Sequence, residues 1–226
     1  MKKFVCIFFT GILMYSAINC QTPGKNSAAD GSGSLELVVE PGEHWQGKMK
    51  VFIFSVKKTP QMAAWIEDRD GRYVATITVT SRSAKGKWRG SGKNKGRPET
   101  LPVWYHRQHN SSLPDDIDAA SRATPNGAVR AVIDSGSLVK GNTYSVFLEV
   151  NHSYDYNDFW TEDNSGVNGQ PSLVYHAQFT AGQPGRTPLV PAGHGSVDGL
   201  NGSITTSLEN FTSALDIVKN IHIIEK

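Results

Sequence analysis

Asp118-Ala119-Ala120-Ser121-Arg122-Ala123-Thr124-Pro125 gathers a carboxyl group, two hydroxyls and a guanidinium among small side chains. Pro125 biases Thr124 toward extended backbone, and Asn126-Gly127 supplies a turn just behind it. Small neighbours leave the Thr124 hydroxyl open to approach. Ser121 and Thr124 could equally bond the local backbone, as such residues do where a loop enters a strand. Arg122 adds a group able to pair with a phosphate.

Two further stretches carry chemically capable side chains. Asn151 to Pro171 is a long loop rich in aromatic and oxygen-bearing residues, with Tyr154, Asp155, Tyr156, Asp158, Phe159, Trp160, Glu162 and Asp163 close together. Calcium takes six to eight oxygens, but the spacing is not that of an EF-hand, and a solvated acidic loop has the same composition. Ser81 to Thr100 carries Arg82, Lys85, Lys87, Arg89, Lys93, Lys95 and Arg97 among Gly and Ser, a basic loop able to attract phosphate or anionic partners. His106 and His109 lie three apart on or just beyond a predicted strand, where alternation sends them to opposite faces. Without clustered cysteines or a His-Glu-His pattern, no metal site is expected. No Gly-x-Ser-x-Gly elbow or nucleotide loop is present, so the residues offer no hydrolase constellation.

Export sets the compartment for this chemistry. Lys2 and Lys3 precede an apolar run from Phe4 to Ile18, and Ala17-Ile18-Asn19-Cys20 ends it, so residues 1–20 read as a signal peptide. Cys20 resembles the lipidation site of a bacterial lipoprotein, with Ala17 and Asn19 where the commonest form has Leu and Gly or Ala. An ordinary secretory signal cut near Ala17 would instead leave Cys20 as a spare thiol. Acyl chains on Cys20 would hold the protein to a membrane, each buried CH₂ contributing about 0.8 kcal/mol. Gln21 in place of Asp favours the outer membrane.

The chain has 23 Lys and Arg against 21 Asp and Glu, and removing Lys2 and Lys3 leaves 23 − 2 = 21 against 21. A balanced domain has no global field to draw it onto nucleic acid, so nucleic acid is not an expected partner. Its only cysteines are Cys6 and Cys20, which leaves the exported domain without a disulfide.

Residues 21–34 have nothing to bury and read as a flexible tether, followed by a single domain over 35–226. Leu35 to Val39, Lys48 to Val56, Ala63 to Asp68 and Tyr73 to Val79 read as strands. Asp70-Gly71 between the last two is the clearest hairpin signal in the chain. Leu101 to His106, Ala128 to Ile133, Thr143 to Val150 and Leu173 to Phe179 follow as further strands, and Asp115 to Ala123 as a short helical turn. Leu208, Phe211, Leu215, Val218 and Ile221 fall at spacings of three and four, which predicts a closing helix, with room for a short edge strand at Ile221 to Ile224. The expected fold is therefore all-β and mostly antiparallel, an immunoglobulin-like β-sandwich with long loops and a short C-terminal helix.

Asp118 to Thr124 resembles the flavinylation motif of bacterial extracytoplasmic proteins, in which Asp, two variable residues, Ser or Thr, Gly, Ala and Thr precede attachment of FMN. Arg122 stands where that motif has Gly. The resemblance implies that a flavin transferase links the FMN phosphate to Thr124, with Asp118, Ser121 and Arg122 as its neighbours. Trp65 to Asp68 with Gly71 to Val74, Asp118 to Gly127, and Gly141 to Tyr144 with Leu148 to Val150 resemble an uncharacterised periplasmic family. Its members occur beside flavin transferases and PepSY-type membrane proteins. This implies an electron carrier between a membrane redox protein and an acceptor, with no catalytic residues of its own. The alternative is a non-enzymatic envelope module that presents loops 82–97 and 151–171 to a protein or glycan.

Overall fold

Strand β1 (Ser34–Pro41) is flanked on both sides by antiparallel partners, and the apolar alternation of Leu35, Leu37 and Val39 sends those side chains to one buried face. The computed structural model describes residues 33–51, 54–86, 97–111, 120–123 and 127–226. The signal, the tether, Asp118 and Thr124 lie outside the described residues.

The partners of β1 are β7 (Val129–Asp134) and β12 (Val218–Glu225), and β10 (Gly185–Pro188) completes a four-stranded sheet in the order β10-β12-β1-β7. A six-stranded sheet holds β4 (Gln61–Glu67), β5 (Tyr73–Thr80), β6 (Ser121–Arg122), β8 (Thr143–Asn151), β9 (Leu173–Thr180) and β11 (Val190–His194), in the order β11-β9-β8-β4-β5-β6. Its pairings are antiparallel except for the short parallel contact of β5 with β6. β2 (Gly47–Val51) and β3 (Phe54–Lys58) pair with each other alone, so the stretch expected as one strand is two. The Asp70-Gly71 hairpin forms: Asp68 N–H donates to the Arg72 carbonyl at 2.9 Å, and Gly71 takes φ 76°.

The larger core lies between the two main sheets. Leu35, Leu37, Ile221 and Ile223 from one meet Ala64, Ile66, Val146, Leu148 and Tyr175 from the other. A second core covers the opposite face of the six-stranded sheet, where Ala63 and Trp65 of β4, Val174 of β9 and Tyr73 of β5 pack under Leu101, Val103 and Trp104. β4 is consequently buried along its whole length. Its unbroken run Gln61-Met62-Ala63-Ala64-Trp65-Ile66-Glu67 is the pattern of a strand covered on both sides.

That second layer overturns the expected immunoglobulin-like sandwich. The fold is mixed α/β, with helices set between strands and two open, unclosed sheets. Helix α1 (Ser81–Lys85) follows β5 within the predicted basic loop, and α2 (Pro102–His109) replaces the strand expected at Leu101 to His106. A single-turn helix, α3 (Glu162–Ser165), interrupts the 151–171 loop. Pro102 sits at the first turn of α2, where its fixed φ suits a helix and its missing N–H is no loss. A short apolar run does not distinguish strand from helix by periodicity. Here the start residue decides.

The closing helix is also absent. A 3₁₀ turn at Ser213–Asp216 leads into β12, which lies inside the four-stranded sheet rather than at an edge. Val218, Ile221, Ile223 and Ile224 are β-branched and suit a strand. The buried alternation of Ile221 and Ile223 outweighs the helical spacing that Leu208 to Ile221 also displays. Among the described residues no helix is long and apolar enough to cross a membrane.

Candidate functional site

Ser121 and Arg122 form the outermost strand of the six-stranded sheet, in parallel register with Val79 and Thr80. The Ser121 hydroxyl donates to Ser81 Oγ at 3.1 Å, tying the string to the start of α1. Arg122 is exposed, and its guanidinium donates to the Arg130 carbonyl at 3.3 Å. Since Arg130 belongs to β7, this bond bridges the free edges of the two main sheets. The structure thus brings together Ser121 and Arg122, while Asp118, Thr124 and Cys20 lie outside the described residues.

The edges part around a groove of about 310 Å³, lined by Met62, Thr78, Thr80, Arg122, Val129 and Arg130. Met62 and Val129 reach its floor from the main core, where they are almost wholly covered, and two guanidinium-bearing residues stand in its wall. Arg130 is paired with the Glu36 carboxylate at 2.7 Å, and Lys226 holds the other oxygen of Glu36 at 2.8 Å. Hydrogen bonds from Lys226 and Arg130 keep the Glu36 carboxyl below its ordinary pKa. Arg122 has no carboxylate partner among the described residues, so its charge is available to an anion. An apolar floor beside an available guanidinium fits, in kind, a ring system that carries a phosphate.

The 151–171 loop is folded. Asp155 anchors it: Ser213 Oγ donates to one carboxylate oxygen at 2.7 Å and Gln170 Nε2 to the other at 3.0 Å. Gln170 N–H donates to the Asp155 carbonyl at 2.9 Å, and Gly169 takes φ 70° in the adjoining bridge. Arg97, from the end of the basic stretch, reaches into the loop and donates to Ser153 Oγ at 3.3 Å and Asn168 Oδ1 at 3.0 Å. Lys58 meets the loop from β3, its ammonium donating to the Ser153 carbonyl at 3.0 Å. Burial, with Arg97 as the next contributor, pushes the Lys58 pKa down to about 8.

The residues that sequence reasoning missed lie on the covered face of the six-stranded sheet. Glu149 is fully buried, and its carboxylate accepts hydrogen bonds from the backbone N–H groups of Val103 at 3.2 Å and Trp104 at 2.8 Å. Ser172 Oγ donates to it at 2.6 Å. Burial pushes the Glu149 pKa up to about 7 despite these donors. The alternation of Tyr144, Val146, Leu148 and Val150 assigns Glu149 to the opposite face, which looks solvated until α2 is placed over it. The only available signal was Phe147 two residues earlier, whose ring stacks on Trp65 at 5.1 Å.

His106 and His109 stand on α2, where each ring is engaged separately. Nε2 of His106 donates to the Gly199 carbonyl at 2.8 Å and Nδ1 of His109 to the Tyr105 carbonyl at 2.9 Å. Among the described residues no three His, Cys, Asp or Glu side chains gather as a metal site. Another groove, of about 690 Å³, lies beside the β4–β5 turn and the end of α2. Its Arg72 and Asp68 are paired with each other at 3.8 Å.

Residues 54–155 match the model of a family described as "Predicted periplasmic protein (DUF2271)". The chain is similar to that family over this segment. The segment runs from β3 to the start of the 151–171 loop, and so holds α2, the Ser121-Arg122 strand, Lys58 and Glu149. The family's description points outside the cytoplasm, as does the N-terminal signal pattern. No curated protein and no solved structure matches the chain.

Proposed function

We propose that this protein is an extracytoplasmic electron carrier, tethered to a membrane through Cys20, that bears FMN on Thr124. The observation that carries the reading is the placement of Ser121 and Arg122. They form the outer edge of a sheet, beside a groove with an available guanidinium, two residues before the acceptor hydroxyl. An edge position leaves room for a transferase to close on the string, whereas a buried strand would not. Arg122 would hold the FMN phosphate through charge-assisted hydrogen bonds, and the apolar side chains of the groove would shield one flank of the ring system. The flavin supplies the redox chemistry, and the chain binds, orients and presents it. A membrane redox protein would reduce it.

The experiment is coexpression with a bacterial flavin transferase, followed by intact-mass analysis and flavin fluorescence on a denaturing gel. The wild type gains the mass of one esterified FMN, and Thr124→Val does not. An unmodified wild-type chain under these conditions rejects the reading. Radiolabelled palmitate tests the tether independently: label enters the wild type, and Cys20→Ala loses it.

A further inference from the structure

Lys58 and Tyr154 form a second site whose geometry owes nothing to the flavin motif. Tyr154 is one of two non-glycine residues with positive φ among the described residues, at 61°. A left-handed conformation costs an ordinary side chain about 1–2 kcal/mol, and residues held so cluster at ligand sites. The strain sets the Tyr154 ring directly beneath the Lys58 ammonium, 4.3 Å from Nζ to the ring centroid, while the ring remains 45% exposed. Among the described residues the Lys58 ammonium makes one hydrogen bond, to the Ser153 carbonyl. It has no ion-pair partner among the described residues.

These residues form one wall of a cleft of about 370 Å³, closed by His44, Gln46, His152 and Ser213. That volume lies within the range of small-molecule sites, about 300–1,000 Å³. The charges around the ammonium are repulsive on balance: Asp155, whose oxygens are engaged by Ser213 and Gln170, attracts it, but Arg97 repels it more strongly and Arg82 adds to the repulsion. Glu43 stands on the exposed rim. Ser153 Oγ accepts from Arg97, which leaves its own proton free to donate.

We infer that this cleft binds the oxyanion end of a small ligand, a phosphate or carboxylate, between the Lys58 ammonium and the Ser153 hydroxyl, with the Tyr154 ring as its floor. A cation with free donors, repelled by two arginines more than one carboxylate attracts it and held over an aromatic face, is arranged for an anion to complete. The inference does not depend on FMN at Thr124, since a Thr124→Val chain keeps every group in the cleft.

The test is titration of the full chain with inorganic phosphate and, separately, acetate, following by NMR the Lys58 side-chain nitrogen in the wild type and the backbone amides of Ser153 and Tyr154 in every variant. Bound oxyanion stabilises the ammonium, so the Lys58 pKa rises saturably from its depressed value toward that of an ordinary lysine with at least one of the two probes. Response to phosphate alone assigns a phosphoryl ligand, and response to acetate alone a carboxylate. Lys58→Met weakens binding at least about tenfold and Lys58→Arg retains it. Tyr154→Ala weakens it less. No saturable change in the wild type with either anion, or equal binding by a folded Lys58→Met variant, overturns the inference.

Discussion

The Glu149 carboxylate of β8 accepts the backbone N–H of Trp104 at 2.8 Å, so a strand side chain caps the N-terminus of helix α2. The exposed donors of a first helical turn attract negative charge, and here the cap comes from a residue 45 positions away in sequence. This contact fixes α2 over the six-stranded sheet and creates the second core.

Glu149 makes stability depend on pH in a direction opposite to that of an ion-paired carboxylate. Its pKa is raised from 4.5 to about 7, so between those values the folded chain holds a proton there that the unfolded chain has lost. Its contribution to stability is therefore fully present below pH 4.5 and declines as pH rises toward 7. Glu149→Gln removes the titration, so its stability relative to wild type improves by an amount on the order of 3 kcal/mol between acid and neutral pH. Urea unfolding of both chains across this window measures it. A constant difference would show that Glu149 does not titrate there.

The C-terminal strand is central to its sheet, so it cannot be trimmed as a terminal helix could. Ile223 is 1% exposed and pairs with Leu37 and Thr187 on its two sides. Ile223→Ala should cost about 2–5 kcal/mol, and a chain ending at Ile217 should not give a cooperative thermal transition. Calorimetry decides between a central strand and a dispensable tail.

Gly169 permits the 151–171 loop to close on itself. At φ 70° an added Cβ would lie 2.5 Å from the Asp155 carbonyl carbon and oxygen. Gly169→Ala should destabilise the domain by about 2 kcal/mol or more through strain and clash together. The same variant should bind phosphate more weakly, because Asp155, Tyr154 and Lys58 share that loop.

Arg122 provides a charge test of the flavin reading. Arg122→Glu should lower flavin incorporation at least about tenfold by opposing a phosphate. Arg122→Gly restores the residue of the resembling motif but removes the guanidinium, and should lower incorporation less than Arg122→Glu does. In-gel fluorescence after coexpression with a transferase compares them. Equal labelling of all three chains would remove Arg122 from the site.

Local pattern by itself determined the strands whose apolar alternation is strong. β1, β5, β7, β8 and β9 lie where Leu35, Tyr73, Ala128, Thr143 and Leu173 begin their runs, and Asp70-Gly71 turns where its backbone preference requires. Composition also determined that residues 21–226 contain no cysteine, and the Ser121-Arg122 string was visible as small residues around polar groups. Only tertiary structure decided which faces are covered. Glu149 and Phe147 occupy the side of β8 that alternation assigns to solvent, and the unbroken run of β4 does not say on which of two buried faces Trp65 lies. Burial of the second face depends on α2, whose helical state rests on Pro102 and on a carboxylate distant in sequence. The Lys58 cleft was hidden for the same reason. It joins β3, the end of the basic stretch and a strained tyrosine, and contacts of such long range leave no periodic trace in the chain.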